Sequence, residues 1–146
     1  MKTIFSISAL FIALLISTQT EAQHLEVQAY AQETIVGMQK GYSIKKVTKK
    51  GMKMGVFHQS TQSFSFKDQA NNYPFTGAEF AYPVTQCGKI RLYANLKTGI
   101  VNNQFIVAIP EIESEIAINQ LLTAGIASSV RAGEAAIAFK LNVVIF

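Results

Sequence analysis

The sequence predicts an all-β protein, an antiparallel up-and-down β-barrel of eight strands. Three observations carry that prediction. Apolar and polar residues alternate with period two along most of the chain, the spacing at which side chains fall on opposite faces of a strand. Beyond the N-terminal stretch, no apolar run is long enough for a transmembrane helix. Cys87 is the only cysteine, so an exported chain of this size has no internal disulfide. Closing a sheet, which leaves no strand edge unpaired, is another route to stability.

The first segment reads as an export signal over residues 1–22. Lys2 is a minimal positive end, Ile4 to Ile16 is apolar apart from Ser6 and Ser8, and Thr20-Glu21-Ala22 ends in the small residue that a signal peptidase prefers. The run is short for an anchor helix, which needs about 20 residues. Cleavage after Ala22 leaves a single barrel domain, 23–146, that begins at Gln23. Strands are expected from His24 to Gln32 and from Ile35 to Val47. Glu26 to Lys40 holds Val27, Tyr30, Ile35 and Met38 at helix-like intervals, but Gly37 interrupts it and no clean apolar stripe forms, so it reads as extended.

Gly51 to Gln59 alternates Met52, Met54 and Val56 against Lys53, Gly55 and Phe57. Tyr73 to Thr85 sets Ala78, Phe80, Tyr82 and Val84 against Gly77, Glu79 and Ala81, with Pro83 near the strand end, where proline is tolerated. From Lys89, Ile90, Leu92, Ala94 and Leu96 oppose Arg91, Tyr93, Asn95 and Lys97. Between Ala108 and Ile118, Ala108, Pro110, Ile112, Ser114, Ile116 and Ile118 share one phase, and Glu111, Glu113 and Glu115 hold the other. Leu122, Ala124, Ile126 and Val130 then oppose Thr123, Gly125, Ala127, Ser129 and Arg131. In the last segment Ile137, Phe139, Leu141, Val143 and Ile145 oppose Ala138, Lys140 and Asn142.

Thr48-Lys49-Lys50-Gly51, Gln86-Cys87-Gly88 and Asn119-Gln120 are short connections that fall on one end of an eight-strand meander. The longest, Gln62 to Asn72, falls on the other. Such asymmetry, with dispersed apolar alternation, is the pattern of a membrane barrel. On these features the chain resembles the small bacterial outer-membrane β-barrel proteins, most closely from Lys89 to Phe146. The resemblance implies an outer-membrane location, a lipid bilayer as surroundings and contact with the barrel-assembly machinery, for which family members often end in an outward aromatic residue. Phe146 is terminal, although alternation places it in the phase of Lys140 and Asn142. Ile90, Leu92, Ile112, Ile116, Ile126, Phe139, Leu141 and Val143 are then the lipid-facing residues. Phe64, Phe66, Lys67 and Asp68 lie in the outer loop, the expected place for adhesion or surface interaction.

A turn at Asn102 to Gln104 sets Arg91 opposite Glu115, Tyr93 opposite Glu113 and Asn95 opposite Glu111. A turn at Asn119-Gln120 places Gly125 beside Glu115 and Ala127 beside Glu113, and one near Gly133 places Lys140 beside Ala127. The small residues leave room for Lys140 to approach Glu113 and for Arg131 to approach Glu111. Because an eight-strand barrel is just wide enough for side chains to fill it, Arg91, Lys97, Glu111, Glu113, Glu115, Arg131 and Lys140 are expected to form an ion-pair network that plugs the interior. A proton or cation path lined by the three glutamates is the functional alternative.

Catalytic, cofactor and metal sites are not expected. His24 and His58 have no second ligand at metal spacing. Cys87 lies in a glycine-containing turn, and the stretch HQSTQSFSF lacks the Gly-x-Ser-x-Gly elbow. His58, Glu79 and Arg91, in that order, resemble small secreted guanyl-type ribonucleases, but that chemistry uses a second, downstream histidine and none follows His58. The net charge of +4 comes from dispersed lysines without interleaved aromatics, which argues against nucleic acid. The main rival to the membrane barrel is a soluble exported β-sandwich or lipocalin-like ligand-binding domain, periplasmic or secreted, in which the apolar phases point inward.

Overall fold

The structure, a computed structural model, describes residues 22–34, 37–62, 74–101, 105–131 and 134–145. Residues 1–21 of the predicted signal segment, residues 63–72 of the predicted long loop, and Phe146 lie outside these residues, while Ala22, the last residue of that segment, is the first of the described strand residues. Eight strands follow one another: β1 (Ala22–Thr34), β2 (Gly37–Thr48), β3 (Lys53–Gln62), β4 (Phe75–Cys87), β5 (Ile90–Val101), β6 (Phe105–Ala117), β7 (Leu122–Arg131) and β8 (Glu134–Ile145). Each pairs antiparallel with its sequence neighbour, and β1 pairs with β8, so the sheet closes into an up-and-down barrel. The segment over Glu26 to Lys40 is the β1–β2 hairpin, with Thr34 opposite Gly37.

The register fixes the dimensions. Stepping across directly opposed residues leads from Ile109 through Lys97, Glu79, Gly55, Lys45 and Glu26 to Val144. Val144 donates to the Leu121 carbonyl, and Asn119 donates to Leu122, so the circuit re-enters the chain of β6 at Asn119, ten residues beyond Ile109. With strands ~4.8 Å apart and a rise of ~3.4 Å per residue, that stagger tilts the strands by about 40° and gives a radius of about 8 Å. A 12-residue strand such as β5 then climbs about 30 Å along the axis, the thickness of a bilayer's hydrocarbon core.

The turns at one end are short and internally bonded. The Thr48 N–H donates to the Met52 carbonyl and the Gly51 N–H donates to the Thr48 carbonyl; Gly51 takes φ +80°, a conformation that side chains disfavour. Asn119 Oδ1 accepts the N–H groups of both Leu121 and Leu122 at 2.8 Å. Strand β4 runs through Cys87, so its turn is centred on Gly88 and Lys89 rather than on Gln86 to Gly88. At the opposite end, the β1–β2, β5–β6 and β7–β8 connections are also short, and the end-to-end asymmetry rests on the β3–β4 loop alone.

Two prolines mark departures from a regular ladder. The β4–β5 register slips between Pro83 and Thr85. The β6–β7 pairing stops at Glu111 opposite Ser129, next to Pro110, which has no N–H to donate. Beyond it β6 stays paired with β5 only, and this hairpin carries the outward Ile106, 84% exposed.

Candidate functional site: the charged interior of the barrel

Inside and outside are inverted relative to a water-soluble barrel. Among the described residues, 11 hydrophobic side chains are buried against 18 polar or charged ones, while 23 large hydrophobics are exposed. The predicted lipid-facing residues Ile90, Ile112, Ile116, Ile126, Phe139, Leu141 and Val143 are exposed on the outer wall, with Leu92 half-buried in the same phase. The apolar phases therefore meet no protein core, contrary to the lipocalin-like alternative, which needs them inside. Phe64, Phe66, Lys67 and Asp68 lie outside the described residues.

The inner face is built in layers. Nearest the turn end, Lys53 reaches across the lumen to Glu115 (2.7 Å) and to Glu26 (2.8 Å). Asn142 donates to Glu115 at 2.7 Å, and Gln28 donates to Asn142 at 2.6 Å. The Tyr93 ring sits 4.7 Å from the Lys53 ammonium. In the middle, Lys140 is 2.7 Å from Glu113, 2.9 Å from Glu111 and 3.8 Å from Glu79. Lys45 pairs with Glu79 and Lys97 pairs with Glu111, each at 3.1 Å, and Asn95 donates to Glu113. The Lys97 ammonium also lies 4.1 Å above the Tyr30 ring.

Above the charges lies an amide layer. Gln32 donates to Ser129 at 3.0 Å, Tyr30 donates to Gln59 at 3.2 Å, and Gln59 donates to Gln39. Alongside it, where Gln59 stands opposite Phe75, the side chains of Phe57, Phe75 and Ile109 pack together, with Val101 and Val107 against them and the two phenyl rings edge to face at 4.6 Å. Five glutamates and four lysines are thus enclosed among the described residues; Lys46, also buried, belongs to the outward phase of Tyr42 and Ile44. Taking such charges out of water is costly unless each finds an opposite charge, and the register supplies one.

The predicted network residues are partly brought together. Lys97, Glu111, Glu113, Glu115 and Lys140 line the interior, and Arg91, Tyr93 and Asn95 stand opposite Glu115, Glu113 and Glu111. Arg91, however, is exposed at the turn-end mouth, where water solvates the guanidinium; Glu115 is taken by Lys53 and Asn142. Arg131 lies opposite Glu134 on the backbone, and its side chain is outside the described set. Lys140 stands opposite Gly125 rather than Ala127, because the β7–β8 hairpin closes from Arg131 to Glu134. The shift matters: a Cβ on Gly125 would lie 3.3 Å from Glu113 Oε1, so the missing side chain makes room for the carboxylate that Lys140 reaches.

Sequence reading missed Glu26, Lys45, Lys53 and Glu79 as members of the network. Each sits in the phase opposite an apolar one, which is the signal that marks them as interior. His58 faces outward, with Nδ1 2.7 Å from Thr76 Oγ1, while Glu79 is wholly enclosed, so the barrel wall separates the two residues of the ribonuclease-like order. His24 Nε2 is 3.3 Å from Glu26, and Cys87 is exposed.

A de novo designed transmembrane β-barrel solved by NMR is similar to this chain at TM-score 0.68 and 8% identity, over 88% of this chain and 99% of the designed one. The N-terminal β-barrel domain of Pseudomonas aeruginosa OprF is similar at TM-score 0.60 and 12% identity, over 86% and 99%. What they share with this chain is the fold. A second designed transmembrane barrel matches at TM-score 0.65 and 10% identity, over 86% and 98%. No protein-family model and no curated protein sequence matches.

Proposed function

We propose that this chain spans an outer membrane as a sealed, non-enzymatic β-barrel, with lipid as the solvent of its outer wall and a structural or surface-interaction role. The observation that carries the reading is the inversion of polarity. Exposed apolar patches on water-soluble monomers rarely exceed a few hundred Å². Here the exposed hydrophobics run from Leu25 near one end to Ile106 near the other and include every strand from β1 to β8. In hydrocarbon that wall is favoured, and closure satisfies the backbone groups of the paired strands, as a lipid-embedded strand requires.

The interior supports the sealed form over an open path. Glutamates and lysines neutralise one another across the lumen, and Phe57, Phe75 and Ile109 pack into it on the loop-end side of the charges. A charged ring that conducts must leave its charges hydrated and available, whereas these are enclosed and engaged. The adhesion or surface role falls to the β3–β4 connection, and the bilayer and the assembly machinery are the expected partners.

Cell fractionation followed by detergent extraction tests the proposal. The chain should stay with the outer membrane, require detergent for release, and migrate on gels in a heat-modifiable way. Recovery in the soluble periplasmic or culture fraction without detergent would overturn it.

A further inference from the structure

The barrel mouth at the turn end carries charge of one sign. Lys49 and Lys50 stand in the β2–β3 turn, Lys89 in the β4–β5 turn, and Arg91 and His24 just inside the rim. Two recesses of about 500 and 430 Å³ open there, and His24 and Arg91 line both. Two carboxylates lie below the rim, both buried and bonded to Lys53: Glu115, and Glu26, which borders the smaller recess beneath His24. Glu33, the one exposed carboxylate among the described side chains, lies at the opposite end, beside the β1–β2 connection. The four cations of the mouth, Lys49, Lys50, Lys89 and Arg91, therefore share it with no exposed carboxylate among the described side chains.

From this geometry we infer that the mouth is a binding site for a phosphate-class anion, supplied by a lipid headgroup of the adjoining leaflet or by a free phosphate. A guanidinium offers paired donors in the plane that suits such oxygens, and the long side chains of the turn lysines add point charges that can close on the anion from either side. A cleft of one sign with low-dielectric walls concentrates its field, and here the walls are the barrel itself. Arg91 lies beside Tyr93 at the recess wall, and its exposed position leaves its donor set facing the recesses. Arg91 is not drawn into the interior network because the enclosed Lys53 already neutralises Glu115.

The test uses the full chain in maltoside micelles, whose headgroup carries no phosphate. Inorganic phosphate, and chloride at matched ionic strength, are titrated while the amide resonances of Gly51, Gly88, Arg91 and Asn119 are followed. In parallel, nanodiscs of phosphatidylcholine with phosphatidylglycerol are opened in a native mass spectrometer and lipid retention is read. Saturable shifts with phosphate alone assign a free anion; selective retention of phosphatidylglycerol without such shifts assigns a headgroup. In either case R91Q, K50Q and K89Q should each weaken binding about tenfold, the worth of one charge-assisted hydrogen bond, with heat-modifiable migration unchanged. Identical responses to phosphate and chloride together with no lipid selectivity would overturn the inference. So would binding that the triple variant leaves intact.

Discussion

Replacing Lys140 with Met removes one charge and keeps a flexible chain of similar length in its place. Lys140 is the most connected cation of the interior, with Glu113, Glu111 and Glu79 at 2.7, 2.9 and 3.8 Å. Without it the described lumen holds five carboxylates and three ammonium groups, and Glu113 keeps only its bond from Asn95 among the contacts named above. Breaking a buried pair by removing one partner costs about 3–5 kcal/mol, because the orphaned charge stays out of water. Glu113 loses its ammonium partner while Glu79 and Glu111 keep Lys45 and Lys97, which places Lys140→Met near the middle of that range at about 4 kcal/mol, a loss of about a thousandfold in the folding constant. Lys89→Met, at the exposed turn, is the control and should cost under about 1 kcal/mol.

The assay is urea unfolding in lipid vesicles, read by far-UV circular dichroism and by the heat-modifiable gel shift, since the chain has no tryptophan. Adding Glu113→Gln to Lys140→Met removes an orphaned carboxylate and should restore about 1.5 kcal/mol or more, the lower bound of coupling for close charge pairs. A Lys140→Met loss no larger than that of Lys89→Met, or strictly additive effects in the double variant, would refute the paired-interior reasoning.

Three further outcomes follow from the same geometry. Ile126→Lys, on the outer wall at mid-height, should destabilise the barrel in bilayers by about 2–4 kcal/mol, whereas a water-facing position would tolerate it; vesicle unfolding distinguishes the two. Gly125→Val should cost about 1–3 kcal/mol in the same assay, because its Cβ would already stand 3.3 Å from Glu113 Oε1 and Glu115 Cγ, leaving no room for two further methyl groups. Phe57→Ala should cost about 3–5 kcal/mol through the cavity it leaves against Phe75 and Ile109, and planar-bilayer recordings should show the native chain closed.

The second half of the barrel is legible because its strands alternate cleanly and its connections are short. Each hairpin then has few registers that keep every apolar residue on one side, and a slip of one residue would invert the whole set. That is why Arg91, Tyr93 and Asn95 fall opposite Glu115, Glu113 and Glu111 as the turn geometry requires. The one shift, Lys140 beside Gly125, comes from a hairpin that closes one residue earlier, which moves every cross-strand partner by two.

Partners across the lumen are a different matter. Lys53 on β3 meets Glu115 on β6 only because the sheet closes with a ten-residue stagger, a global property that no local pairing contains. Local reasoning assigns Glu115 to its strand neighbour Arg91. In the closed barrel the neighbour stands in water at the mouth, and the lysine enclosed beside it has the greater need of a counter-charge. The same holds for Glu26, Lys45 and Glu79, whose strands lie far in sequence from the glutamate row that they help to neutralise.

The account rests on lipid contact of the outer wall, and depth-resolved spin labelling tests it most directly. Single nitroxides at 112, 126 and 139, introduced on a Cys87→Ser background and reconstituted in vesicles, would be probed with molecular oxygen and with a polar nickel complex. The account predicts strong collision with oxygen and near-exclusion of nickel at all three positions. Free access of nickel to them in the folded, vesicle-bound chain would contradict it.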